Sequence, residues 1–316
     1  MSDIRVAYTD SDQDMTLTET LMREKGIGFR LFQSKAPAEI IRDCQGMEVL
    51  VTQYARMTRE VFDAVPSLKL VIRSGAGVDS VDLKAAAEHG VRVCNVPDGS
   101  TIEVAEHALA LLLASARKIP FMNRKVHEGR WTYKDAVPLF RLRGSTVGVI
   151  GLGRIGTEFA DMARGLGMKV LAHDRYVKEL NDRQQFVELV DLDVLLQRSD
   201  YISVHCPLEN NLNLLDREQF ARMKSTCCLV NVSRGGVINE DALFEALSTN
   251  QIRGAAVDVS ASEPNPPAAR LMALDNYICT PHIGFYSVNS ADDIATKVVE
   301  EVERFLKHEP LRCVVV

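Results

Sequence analysis

The chain has 316 residues, 46% apolar and 25% charged, with acidic residues outnumbering basic ones 43 to 37 for a net charge of −6. That composition excludes a disordered, collagen-like or disulfide-stapled chain and points to a globular protein of about two domains. The acidic balance favours neither nucleic acid nor a membrane surface as partner. The seven cysteines (Cys44, Cys94, Cys206, Cys227, Cys228, Cys279 and Cys313) are odd in number, contain no C-x-x-C and sit in apolar runs such as CCLVNV. They read as small buried hydrophobes in a reducing compartment, with no metal site. The opening MSDIRVAYTD carries Asp3 and Asp10 and no apolar leader core, and the most apolar helical run, 108–114, is far short of the twenty or so residues that span a bilayer. A cytoplasmic protein is expected.

Short β-branched runs alternate with helical patterns along the chain. The first series predicts strands at 4–8, 28–32, 49–52, 70–73 and 91–95. Thr16-Leu-Thr-Glu19 has the spacing of a capping box, and Pro37 is placed to open a helix. Ser100-Thr-Ile-Glu103 is a second box, followed by an apolar helix to about Arg117 that needs cover on all sides, in an interdomain seam, a dimer interface or an ordinary domain core. Residues 118–143 have weak periodicity and hold the single tryptophan, Trp131, which suggests an arm packing on a partner subunit. A second series predicts strands at 146–150, 169–172, 201–205, 228–232, 255–259 and 277–279, with helices at 155–165, 192–197, 218–223 and 240–248. Six parallel strands suit a dinucleotide-binding sheet. The chain closes on a helix whose apolar stripe is Val288, Ala291, Ala295, Val298, Val302 and Phe305. Strands alternating with helices throughout predict an α/β protein with doubly wound parallel sheets.

Within VGVIGLGRIG, Gly151, Gly153 and Gly156 form G-x-G-x-x-G between a strand and a helix. The first glycine allows the tight turn, the second lets backbone approach a pyrophosphate, and the third lets helix pack on strand. The helix N-terminus then favours the phosphate anion. Asp174 ends the next strand, 21 residues after Gly153, where a carboxylate accepts from the adenosine ribose hydroxyls. That carboxylate repels a 2′-phosphate, so NAD is expected over NADP, although Arg175 softens the preference.

Arg234, Glu263 and His282 each follow a predicted strand, in NVSRGG, DVSASEP and CTPHIG. Ligands of open α/β sheets bind beyond the carboxyl ends of the strands, the edge that also carries the glycine loop. A guanidinium suits a carboxylate or a polarised carbonyl, and a histidine near neutral pKa gives and takes a proton, its tautomer fixed by a partner carboxylate. The set suits hydride transfer between a nicotinamide and a carbon bearing a hydroxyl or keto group.

The ordered stretches RSGAGVDSVD (73–82), VAEHALALLL (104–113), LRGSTVGVIGLGRIG (142–156), VHCPL (204–208), LVNVSRGGVINEDAL (229–243), RGAAVDVSASEP (253–264) and ICTPHIG (278–284) resemble the D-isomer-specific 2-hydroxyacid dehydrogenase family. The resemblance runs from about residue 65 to the C-terminus. It implies a Rossmann NAD-binding domain, 99–284, inserted into a flavodoxin-like substrate domain, 1–98, with 285–316 returning to the latter as a terminal helix. It implies His282 as acid/base, Glu263 as its partner, and Arg234 on the substrate carboxylate and keto oxygen. Backbone N–H groups of Ser74-Gly75-Ala76-Gly77 would serve the carboxylate. Asp258 would lie near the nicotinamide amide and Cys206-Pro207 along the adenosine, with Arg154, Ile155, Val232 and Gly284 completing the cofactor set. His205 would be positioning or structural. Tyr54, Arg56 and Phe285 are candidates for the substrate side chain, Arg56 for a second anionic group on it. A homodimer through the NAD-binding domain, with a small anionic 2-oxo or 2-hydroxy acid as substrate, completes the expectation.

The expected activity is NAD-dependent reduction of a 2-oxoacid to a D-2-hydroxyacid. Two alternatives stay open. Phe285-Tyr286-Ser287 resembles, loosely, the C-terminal-binding-protein branch, which includes NAD(H)-binding corepressors, and a short 3-phosphoglycerate dehydrogenase is also compatible.

Overall fold

The computed structural model describes residues 5–316, so Asp3 and Ile4 lie outside the described residues. The chain forms two compact units. One contains the residues up to Ser100 together with Tyr286–Val316, and the other is Thr101–Phe285. These limits fall a residue or two beyond the 98/99 and 284/285 expected. Gly99 belongs with the first unit for a steric reason: a Cβ there would lie 2.4 Å from Ile294 and 3.0 Å from Val96.

The first unit runs β1 (Val6–Tyr8), α1 (Thr16–Glu24), β2 (Phe29–Leu31), α2 (Pro37–Asp43), β3 (Val49–Thr52), α3 (Arg59–Ala64), β4 (Leu70–Arg73), α4 (Leu83–Glu88) and β5 (Arg92–Cys94). The strands are parallel in the order β2-β1-β3-β4-β5, the flavodoxin-like arrangement. Strands buried on both faces read as continuous apolar runs, because alternate side chains enter different cores. Ala7, Leu50, Val71 and Val93 pack with α2, α3 and α4 on one face. Val6, Val49, Val51, Leu70 and Ile72 pack on the other, with Met22 of α1 and with Ile294, Val298 and Val302 of the C-terminal helix Val288–Leu306.

Two local expectations in this unit change and one holds. Thr16 is the first residue of α1, not its cap; its N–H and hydroxyl both donate to Asp14 Oδ1, at 2.9 and 2.6 Å. Pro37 does open α2, and Glu39 accepts from the N–H groups of Lys35 and Ala36. In the C-terminal helix the buried face runs Ser290, Ile294, Val298, Val302 and Phe305, while Val288 is 68% exposed. Val288 lies in the first turn, where Ser287 caps the helix through Ser290 N–H, and no sheet residue lies over it in the core.

The second unit opens with α5 (Thr101–Ala116) and α6 (Ile119–His127). It continues with β6 (Thr146–Ile150), α7 (Arg154–Gly165), β7 (Lys169–His173), β8 (Glu188–Leu189), α8 (Leu192–Arg198), β9 (Tyr201–Val204), α9 (Arg217–Arg222), β10 (Cys228–Asn231), α10 (Glu240–Ser248), β11 (Gly254–Val257), α11 (Ala269–Met272) and β12 (Tyr277–Cys279). The last helix of the chain is therefore α12. The sheet is parallel, ordered β12-β11-β10-β9-β6-β7-β8, so the chain reverses direction across the sheet at β6. It has seven strands, not six. The additional β8 is two residues long and pairs only with β7, through Leu171 and Ala172. Residues 118–143, expected as an arm of weak periodicity, contain regular elements. They hold α6, which buries no residue, and a 3-10 turn at Lys134–Ala136. Helix α5 packs with α7 over one face of the sheet, against Val147, Val149, Val230 and Ala256, whereas α8, α9 and α10 cover the other.

All seven cysteines are free thiols, five of them buried. Burial pushes Cys44 and Cys206 up to about 11 and Cys94 up to about 12, and moves Cys227 upward as well. Among the described residues no helix is long and apolar enough to cross a membrane.

Candidate active site

The glycine loop joins β6 to α7 at the point where the strand order reverses, the usual crevice for a ligand in an open α/β sheet. Gly151 has φ +95°, and a Cβ on it would lie 2.7 Å from Cys206 N. A Cβ on Gly156 would lie 2.0 Å from Gly151 O, so helix and loop touch backbone to backbone. Gly153 differs: a Cβ there meets nothing within 4 Å. The loop is thus open at its middle glycine, beside the first-turn N–H groups of α7, which have no intrahelical acceptor. Arg154 is exposed, and Ile155 packs partly into the core. Asp174 Oδ2 accepts from Leu152 N–H at 2.7 Å, and Oδ1 from Tyr176 and Val177 N–H at 2.8 and 3.1 Å. Burial works to raise this carboxyl, but the three backbone donors outweigh it and hold it below the ordinary range. Asp174 therefore fixes the loop as well as offering its remaining lone pairs outward.

Arg234, Glu263 and His282 follow three adjacent strands, β10, β11 and β12. His282 Nδ1 donates to Glu263 Oε2 at 2.8 Å, and Glu263 Oε1 accepts from Ser260 N–H at 2.8 Å. Burial would raise the Glu263 carboxyl. The His282 and Ser260 hydrogen bonds, with the positive charges of His282 and Arg234, keep it below its usual value. Arg234 leaves β10 in extended backbone; its carbonyl accepts from Asn231 Nδ2 at 3.0 Å and its Nη1 donates to Ser233 O at 2.8 Å. The Arg234 and Glu263 loops are in backbone contact: a Cβ on Gly235 would lie 2.0 Å from the Ser260 carbonyl carbon. Phe285 packs edge-on to the His282 ring, 6.2 Å between centroids. Val232 and Cys206 are buried, and Pro207 is exposed.

Asp258, expected near the nicotinamide amide, is 2% exposed, and both of its oxygens accept from the loop that carries His282. Gly284 is needed for the same approach, since a Cβ on it would lie 2.9 Å from Asp258 Oδ2. His205 is enclosed: Ser203 Oγ lies 2.8 Å from its Nε2, Phe159 packs on its ring, and burial pushes it down to about 3, so it stays neutral.

In the first unit, the turn after β4 places Ser74 N–H on Thr52 O and Gly75 N–H on Arg73 O, both at 2.9 Å. Those two donors are committed, which narrows the expected anion-binding N–H groups to Ala76 and Gly77. Gly75 has φ +141° and lies under the Arg73 guanidinium. Tyr54 and Arg56 follow β3 and are exposed; Asp10 accepts from the N–H groups of Gln53, Tyr54 and Ala55 and so shapes that loop. Burial, with Asp12 beside it, pushes the Tyr54 phenol up to about 12.

Residues 109–284 match the D-isomer specific 2-hydroxyacid dehydrogenase, NAD binding domain. The chain belongs to the D-isomer specific 2-hydroxyacid dehydrogenase family. It is 40% identical over 293 residues to a D-3-phosphoglycerate dehydrogenase of Archaeoglobus fulgidus, covering 92% of this chain and 55% of that one. It is 38% identical to a hydroxypyruvate reductase of Thermotoga maritima, covering 84% of this chain and 86% of the relative. Among solved structures, a D-lactate dehydrogenase from Aquifex aeolicus complexed with NAD and lactic acid superposes with a TM-score of 0.87 at 27% identity, covering 96% of each chain. The chain spans about half the length of the phosphoglycerate dehydrogenases it matches.

The glycine loop fits the NAD of a 2-hydroxyacid dehydrogenase, because its one open Cβ position, Gly153, is where a pyrophosphate has to approach backbone. The sequence reading missed His107, Thr280, Ser260 and Gly235 around this site. His107 is the one with a visible signal, an imidazole opening the apolar run 108–114 of its helix.

Proposed function

We propose that this chain is an NAD-dependent 2-oxoacid reductase producing D-2-hydroxyacids. The observation that carries the reading is the 2.8 Å hydrogen bond between His282 and Glu263, beside Arg234 and in the same unit as the glycine loop. NADH, when bound, supplies the hydride. His282, protonated on both ring nitrogens, donates from Nδ1 to Glu263 and is left with an Nε2 proton for the substrate oxygen. Glu263, ionised throughout the neutral range, favours that imidazolium. Arg234 supplies a fixed positive charge for the substrate carboxylate and for charge growing on the keto oxygen. Asp174 favours NAD over NADP by repulsion of a 2′-phosphate.

The substrate is proposed as a small 2-oxoacid. The N–H groups of Ala76 and Gly77, with Tyr54, Arg56 and Phe285, are assigned to its carboxylate and side chain. The relatives' names nominate candidates: hydroxypyruvate, glyoxylate and 3-phosphohydroxypyruvate, with branched 2-oxoacids as further members of the panel. NADH oxidation across it tests the reading, and no turnover on any member would defeat it. Arg56→Ala, read on mono- and dianionic oxoacids, should lose more on the dianion; equal losses would remove that role. His282→Ala should abolish turnover while NADH affinity, read by fluorescence, stays near wild type. We assign the protein to the cytoplasm and expect a homodimer through the second unit. That unit exposes Ile119, Val126, Trp131, Tyr133, Val137 and Phe140 within one stretch of chain, and a run of exposed apolar side chains is what a partner surface would cover.

A further inference from the structure

His282 has φ +54°, a left-handed backbone that costs a non-glycine residue about 1 kcal/mol or more and persists only where its surroundings enforce it. The enforcing group is Asp258. Its carbonyl accepts from His282 N–H at 2.8 Å. Its carboxylate accepts from Ile283 N–H at 3.0 Å through Oδ1 and from Gly284 N–H at 2.8 Å through Oδ2. One buried aspartate thus grips the main chain at three successive residues.

A second layer lies behind it. Thr280 Oγ1 is 2.5 Å from Asp258 Oδ1 and 3.5 Å from Val257 O, so its single proton goes to the carboxylate. The Thr280 oxygen is then an acceptor toward His107 Nε2, 2.9 Å away, and that nitrogen also lies 3.4 Å from Asp258 Oδ1. The donor order places a proton on His107 Nε2. Burial works against the Asp258 charge, but His107, Thr280 and the two backbone N–H groups outweigh it and keep the carboxyl below its ordinary range. His107 stands on α5, and Thr280 follows β12.

We propose that His107, Thr280 and Asp258 form a clamp that sets the backbone of the acid/base residue, with His107 a positioning residue that acts through Thr280 and Asp258. The proposal rests on the reading of His282 as acid/base. His107→Leu and Thr280→Val remove the hydrogen bonds and keep the bulk; His107→Gln and Thr280→Ser keep a donor. A misplaced catalytic group costs up to about a hundredfold, so the first pair should lose about tenfold or more in kcat, with KM for the oxoacid and the NADH dissociation constant moving about twofold at most. The second pair should recover most of the rate. Amide hydrogen exchange at Ile283 and Gly284 should quicken in the first pair and stay as in wild type in the second. Unchanged exchange in Thr280→Val, or Gln and Ser variants as slow as Leu and Val, overturns the clamp. If the wild-type chain reduces nothing in the panel but the exchange pattern appears, the clamp stands and the assigned reaction is what fails.

Discussion

At the scale of single residues, two glycines of one loop separate folding from cofactor binding. Gly156→Ala puts a methyl 2.0 Å from Gly151 O, a backbone atom that cannot swing away, and should destabilise the chain by about 1–3 kcal/mol in urea unfolding. Gly153→Ala meets nothing and has an ordinary φ of −75°, so its unfolding midpoint should match wild type while NADH titration shows weakened binding. Wild-type affinity in that variant would remove the pyrophosphate from the loop. Glu263 gives a prediction in pH. Its carboxyl is held below the ordinary value, so it is ionised wherever the enzyme is assayed. Reduction consumes an imidazolium, and its rate must fall as pH rises. In Glu263→Gln the amide oxygen can keep Ser260 N–H, which turns the amide N–H toward Nδ1 and makes that nitrogen an acceptor. The imidazolium is then disfavoured. The falling limb of kcat/KM should move to lower pH, with a loss of about a hundredfold at neutral pH.

At the scale of elements, the site is an assembly of strand ends. Arg234, Glu263 and His282 follow β10, β11 and β12, and that was readable in advance because each strand is a short apolar run and ligands collect at one edge of such sheets. What escaped has physical reasons. Strand β8 is two residues long, too short to show a period. Helix α6 is nine residues long and buries none of them, so Ile119, Met122 and Val126 repeat over barely two turns, too few to stand out as a period. Val288 was read into the stripe of α12 because periodicity marks a face but not where the core stops. His107 meets Thr280 across 173 positions, a contact that no local pattern encodes. Gly235 shows how tightly the loops are joined. Gly235→Ala would drive a methyl into the Ser260 main chain, pushing the Arg234 loop off the Glu263 loop. The expected result is a large fall in kcat/KM with NADH affinity retained, since the glycine loop is untouched. Wild-type kinetics would mean that the two loops need no fixed spacing.

At the scale of the whole molecule, the two units have separate sheets and separate cores. The exposed apolar residues gather in the second unit, with Trp131 89% and Tyr133 75% exposed. If a second copy covers them, Trp131→Asp combined with Tyr133→Asp should convert a dimer to a monomer in sedimentation equilibrium. A monomeric wild type would dismiss the interface. The buried thiols carry a consequence of another kind. Cys44 belongs to the first unit and Cys227 to the second; each is fully enclosed and its ionisation is pushed upward, so neither meets a thiol reagent without a local opening. Their labelling rates, followed by mass in one sample, act as two clocks. Each reports how often its own unit breathes, and bound NADH should slow the Cys227 clock while leaving the Cys44 clock running at its former pace.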